Sequence, residues 1–232
     1  GGTRTVRAEQ TDITPTASSV EISAGLELSG SEYLLVATDE LTIGDNARLR
    51  STAPASGAAG ESLLITGTSG SAFARVSRNG PVELARSPGA AQSGNILIGN
   101  GAVLAANGAL AIDAAGTARS FGSYALGPQA ALALGSNRIL LGADQAAVSD
   151  GLALDSALLS GFGNIASVAL RASDRLEVSS NVVLGSAGSQ PQQLVLDTPL
   201  ITTTAGEAVF HAGELGLRNS AVAHAAAPVT GS

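Results

Sequence analysis

Short apolar-x-apolar triplets punctuate this chain along most of its length. Val20-Glu21-Ile22, Leu26-Glu27-Leu28, Leu41-Thr42-Ile43, Val82-Glu83-Leu84, Ile96-Leu97-Ile98 and Leu110-Ala111-Ile112 open the series. Leu132-Ala133-Leu134, Val168-Ala169-Leu170, Leu176-Glu177-Val178, Leu194-Val195-Leu196 and Leu215-Gly216-Leu217 continue it. A period of two belongs to a strand, whose successive side chains leave on opposite faces. Between the triplets stand Gly, Asn, Asp and Ser, residues that accept positive φ and build tight turns. No apolar stripe at i, i+3, i+4 runs far enough to predict a helix, and the alanine-rich stretch 125–134 is broken by Gly127-Pro128. The pattern predicts an all-β protein of many short strands.

One unit is written twice. Leu35–Ser51, LVATDELTIGDNARLRS, aligns without a gap on Leu170–Ser186, LRASDRLEVSSNVVLGS. Phe210–Asn219 reads as a third, shorter copy. Recurrence of a whole strand–turn–strand unit points to a parallel β-helix rather than a sandwich: one coil cannot bury its own face, so stacking of like coils is obligatory. At roughly 20–25 residues per coil the chain predicts about ten coils, stacked ~4.8 Å apart. Residues 1–232 read as a single segment of such a solenoid without a domain boundary, and 220–232 as a frayed tail. Ser51–Gly60, Ser87–Asn95 and Ser186–Gln193 read as outward loops, from their Pro, Gly and Ser content.

Composition sharpens this picture. Hydrophobic residues are 44% of the chain but aromatics only 3%, with no Trp and no Met. Such a core has to be thin, built from Ala, Val, Leu and Ile. The net charge is −7 and Lys is absent, so all 12 residues counted as Lys or Arg are Arg. That balance argues against nucleic acid as a partner. Absence of Lys also rules out a P-loop, and absence of Cys rules out disulfides and thiolate chemistry. No run of about 18 apolar residues predicts a membrane span. The chain begins Gly1-Gly2-Thr3 and reads as an internal piece of something longer.

Leu152–Gly185, LALDSALLSGFGNIASVALRASDRLEVSSNVVLG, resembles the shafts of filamentous-haemagglutinin-like exoproteins, exported by two-partner secretion in Gram-negative bacteria. The resemblance lies in Leu159-Ser160-Gly161-Phe162-Gly163 leading into a strand, then Asp174-Arg175-Leu176-Glu177-Val178. Leu132–Asp144, LALGSNRILLGAD, reads as a similar strand–turn–strand. The resemblance implies a right-handed parallel β-helix acting as a structural or adhesive shaft, secreted and held at the cell surface. It implies an outer-membrane transporter as a partner during export. A surface receptor or glycan would be bound through other parts of the full-length protein. The family's Asn-Pro-Asn-Gly-type export motif is missing, so the piece reads as shaft rather than secretion domain.

No constellation of residues nominates a reaction. The two histidines, His211 and His224, have no G-x-S-x-G partner. Asp45, Asp113, Asp144, Asp150, Asp155, Asp174 and Asp197 are scattered outside any calcium-loop spacing; Asp144, Asp150 and Asp155 are the densest group, read as turns and caps. No cofactor, metal or catalytic residue is assigned, and no enzymatic activity is expected. The rival readings are a polysaccharide lyase or glycosidase on a β-helix and a phage-tailspike-like fibre. The former needs paired carboxylates over one groove. Asp39 and Asp174 hold equivalent repeat positions, whereas Glu21, Glu27, Glu83 and Glu177, in mid-triplet, are expected to point into water.

Overall fold

A computed structural model describes residues 2–6 (backbone only), 10–51, 55, 60–67, 70–87 and 91–220. The chain is mostly β. Strands β1 (Gly2–Val6) and β2 (Thr11–Pro15) pair antiparallel. Then β3 (Ser19–Ile22), β4 (Glu27–Gly30) and β5 (Glu32–Ala37) enter three different sheets in succession. Strands β6 (Glu40–Ile43) and β7 (Arg48–Ser51) pair in parallel, in register, on β3 and β4.

Here the chain departs through β8 (Glu61–Ile65), β9 (Ala72–Ser77) and β10 (Val82–Arg86). It resumes with β11 (Asn95–Ile98), β12 (Val103–Ala106) and β13 (Ala109–Ala114), followed by β14 (Ala118–Ser120), β15 (Ser123–Leu126) and β16 (Ala131–Leu141), each parallel to its predecessor three strands earlier. After β17 (Leu152–Leu154), helix α1 (Ser156–Ser160) and a 3-10 turn at Gly161–Asn164 lead into β18 (Ser167–Val178). The described chain closes with β19 (Val182–Leu184), β20 (Gln193–Asp197), β21 (Ile201–Thr203), β22 (Ala208–Phe210) and β23 (Glu214–Arg218).

The largest sheet runs β5-β9-β13-β16-β18-β20-β23, with β17 and β21 attached. Its inward residues stack like on like. One row is Tyr33, Val76, Leu110, Leu132, Val168, Leu194, Leu215; the next is Leu35, Ala74, Ile112, Leu134, Leu170, Leu196, Leu217. Val20, Leu41, Ile96 and Ala118 stack in the second sheet, and Leu28, Leu49, Leu104 and Tyr124 in the third. Most of these residues belong to, or pack against, one narrow core, which explains how so few aromatics suffice. Leu35 and Leu170, the first residues of the two matching segments, share a row.

Several expectations need correction. The sheets are mixed, because β9 runs antiparallel to both β5 and β13. After β7 the next strand, β8, belongs to the side sheet, and the chain enters the large sheet only afterwards, as β9. Gly94, at φ 109°, lies where this excursion closes; a Cβ on it would stand 2.4 Å from the Ser71 backbone. The large sheet's main path has seven layers, about 30 Å at the usual strand spacing, rather than the ten coils expected. The excursion 52–94 and the segment 142–166 use chain that an even coil length would have assigned to coils.

Leu132–Leu141 is one strand with a register shift between Ser136 and Arg138, not two strands about a turn. A short helix does form: Asp155 caps it by accepting from Leu158 N at 2.7 Å, and Leu159 and Phe162 are buried in the core. The proposed third copy lies on another face, since Leu215 and Leu217 pair with Leu194 and Leu196. Every face carries the same kind of triplet, so triplets from different faces look alike in sequence.

The excursion builds a second layer. Strands β1-β2-β8-β10 form a side sheet. It packs on the outer face of the large sheet through Ile13, Leu63 and Ile65 against Phe73, Ala111, Leu34 and Val36, with Val82, Leu84 and Ala133 alongside. Of the predicted loops, 52–54, 56–59 and 88–90 lie outside the described residues, as does the tail 221–232 with His224.

Candidate functional site

The side sheet covers only part of the large sheet, and its last strand, β10, is an edge. Where the cover stops, a groove of about 520 Å³ opens. Its floor is the outward row Ala111, Ala133, Ala169, Val195, which register places directly beside one another. Its wall is β10. Pro81 O accepts from Glu61 N and Ser87 N donates to Ile65 O, so the odd-numbered residues of this stretch face β8. Parallel pairing therefore aims the backbone groups of Val82, Leu84 and Arg86 away from β8. Leu84 O is taken by Arg171 Nη1 at 3.0 Å, across the groove from β18.

A charged row runs along one end of the floor: Asp113, Gly135, Arg171, Asp197, Arg218. Asp113 is held by Arg86 at 2.5 Å and lies 3.8 Å from Arg171. Gly135 makes this reach possible: a Cβ there would stand 2.1 Å from Asp113 Oδ2. Asp197 accepts from Ser220 N at 2.7 Å, and its other oxygen bonds the Ser220 hydroxyl. Arg218 makes no ion pair among the described residues. Arg75, buried beneath the side sheet, is paired with Glu32 at 2.6 Å and donates to Gly80 O.

A second charged cluster sits on the outer side of β16 and β18. Glu177 accepts from Arg138 Nη2 at 2.6 Å, Arg175 Nε at 3.4 Å and Thr204 Oγ1 at 3.3 Å. Burial pushes its carboxyl up, but the hydrogen bonds and charge of Arg138, with Arg175 and Thr204, prevail and hold it below the usual range. This corrects the expectation that Glu177 points into water; it is 7% exposed, because Arg138 on β16 and Thr204, just past β21, close over it. Glu21, Glu27 and Glu83 are exposed as expected.

The three grouped aspartates do separate structural jobs. Asp144 accepts from Ala146 N, Asp155 caps α1, and Asp150 accepts from Thr117 Oγ1 at 2.7 Å and Asn137 Nδ2 at 2.9 Å. Those two hydrogen bonds hold the Asp150 carboxyl low. No group of three or more metal-ligating side chains occurs among the described residues. Asp39 accepts from Thr38 Oγ1, and Asp174 pairs with Arg175 at 2.5 Å. His211 N donates to Leu184 O on the neighbouring strand.

The groove was legible in one signal that triplet counting passes over. In five triplets of the large sheet the middle residue is small and the residue after the triplet is charged or Gly: Ala111 with Asp113, Ala133 with Gly135, Ala169 with Arg171, Val195 with Asp197, Gly216 with Arg218. No family model matches the chain, and no curated protein or solved structure is significantly similar to it. No helix among the described residues is long and apolar enough to cross a membrane.

Proposed function

We propose that this chain is a shaft segment of a large secreted bacterial surface protein, built as a right-handed parallel β-helix that carries adhesive or effector regions away from the cell. The reading rests on one observation. Apart from β9, which runs antiparallel to both its neighbours, strands of three sheets pair in parallel with those of the next round, so that like side chains stack along one direction. Backbone hydrogen bonds then run along the long axis, which makes a stiff element that protrudes without needing a wide core. The exposed Leu200, Ile201, Val209, Leu215 and Leu217 at the last round are the residue types that a following round would bury.

The carbohydrate-cleaving reading draws less support: in the groove Asp113 is committed to Arg86, and Asp197 to Ser220. Immunogold labelling of intact producing cells with an antibody to this segment is expected to decorate thin projections beyond the outer membrane. Labelling that appears only after lysis would refute the assignment.

A further inference from the structure

We propose that the side sheet is an acid-released cover: acidification neutralises the carboxylates that pair with arginines between the layers, and the sheet lifts off the large sheet while the stacked rounds stay folded. Charge is unevenly placed in this molecule. Among the described residues only Asp12, Arg75 and Glu177 are both charged and buried. Asp12 stands on β2 of the side sheet, and Arg75 lies beneath that sheet. The apolar contact between the layers is small, with Ile13, Leu63, Ile65, Phe73 and Ala111 as its buried members. Three arginines join one layer to the other around it. Arg75 on β9 pairs with Glu32 on β5 at 2.6 Å, and reaches Glu61 on β8 at 3.8 Å and Gly80 O at 2.8 Å. Arg86 on β10 pairs with Asp113 on β13 at 2.5 Å and donates to Ser71 O at 3.0 Å. Arg171 on β18 donates to Leu84 O on β10 at 3.0 Å and lies 3.8 Å from Asp113.

An ion pair lasts only while its carboxylate is ionised, whereas arginine keeps its charge throughout the acid range. Acid therefore leaves Arg75 buried, charged and without a carboxylate partner, a state that strongly disfavours burial. Glu61 and Gly80 belong to the side sheet and its approach to β10, so moving that sheet returns the guanidinium to water. The same movement carries Arg86 away from Asp113. The charged groups facing these arginines are all carboxylates: Glu32 from β5, Glu61 from β8 and Asp113 from β13, with Asp197 beside Arg171 on β20. Asp12 accepts from Gln10 Nε2, and Glu83 on β10 is exposed. His211 and His224 lie outside the four strands of the side sheet. The stacked rounds hold together differently. Their core is apolar, and the Glu177 carboxyl on their outer side is held below the usual range, so that cluster stays ionised through the ordinary carboxylate range.

The test follows the whole chain by hydrogen exchange, corrected for the intrinsic pH dependence of amide exchange, from neutral pH to about pH 4, the ordinary carboxylate range. Peptides covering β8 and β10 are expected to lose protection reversibly, while those covering β16 and β18 keep theirs. Binding of the dye anilinonaphthalene sulfonate should rise in parallel, as Phe73 and its neighbours are uncovered. Glu32→Gln combined with Glu61→Gln should raise opening of the cover at neutral pH roughly a hundredfold, the scale of a buried charge deprived of its partners. Arg75→Met removes that charge and keeps an apolar stem, so it should leave the cover closed at neutral pH and shrink the acid response. Retained protection of β16 and β18 shows that each variant is folded. Protection of β8 and β10 that persists to about pH 4, or equal loss in both layers, would overturn the proposal. So would neutral-pH opening unchanged in the double variant, or Arg75→Met responding to acid as the parent does. None of these outcomes depends on where the protein is located, so failure here leaves the shaft reading standing.

Discussion

Phe73 is the residue on which attachment of the side sheet depends. It projects outward from β9, is fully buried, and is the only aromatic in the second core among the described residues, surrounded by Ile13, Leu63, Ile65 and Ala111. Truncation to Ala removes most of a ring from a site whose neighbours are tied to two different sheets and have little freedom to collapse. The cost is about 3–5 kcal/mol, the range for buried Phe→Ala. Because Phe73 contributes nothing to the inner rows, that cost falls on the contact between layers. At about 4 kcal/mol the opening constant of the side sheet rises roughly 1,000-fold. Hydrogen exchange followed by mass spectrometry provides the readout. Peptides covering β8 and β10 should exchange faster by up to that factor, while those covering β13, β16 and β18 change little. Leu110→Ala, in the inner row, should instead release protection along β13 and β16. Equal loss of protection in both layers of Phe73→Ala would refute the reasoning, since the two cores would then unfold as one unit.

The Glu177 cluster predicts an acid limb. Its carboxyl titrates below the unfolded value, so the stabilisation is complete above the ordinary carboxylate range and is lost as pH falls through the lowered folded value. Urea midpoints measured from neutral to acidic pH should decline less steeply in Glu177→Gln than in the parent; a residual decline remains from Asp150, and identical slopes would contradict the assignment. Tyr124 offers the opposite case. Burial pushes its phenol up to about 12, partly offset by the nearby Ser120 hydroxyl, yet neither oxygen has a partner of hydrogen-bond geometry. Tyr124→Phe removes a buried, unsatisfied hydroxyl and should leave stability unchanged or raise it by about 1–2 kcal/mol; a fall in Tm would show that the phenol is bonded.

Alternation in the sequence determined the class of fold and the location of most strands. Every apolar-x-apolar triplet from Val20 to Leu217 lies wholly or largely on a strand, because burial on one face demands a period of two. The repeat also placed Leu35 and Leu170 correctly in one row. What it left open was direction and order. Val82-Glu83-Leu84 has the same text as the inner triplets but belongs to the side sheet, and β9 carries inward residues as suitable as its neighbours' while running backwards. Alternation is unchanged when a strand is reversed or moved to another sheet, so these choices were made by where the preceding segment left the chain. The helix over 156–160 was likewise settled by place. Two buried residues, Leu159 and Phe162, and an Asp155 cap suffice against an existing core, far below the periodicity that announces a helix on its own. The groove arose in the same way. Its small floor and charged rim are written in the sequence, but they line a groove only because the side sheet stops at β10.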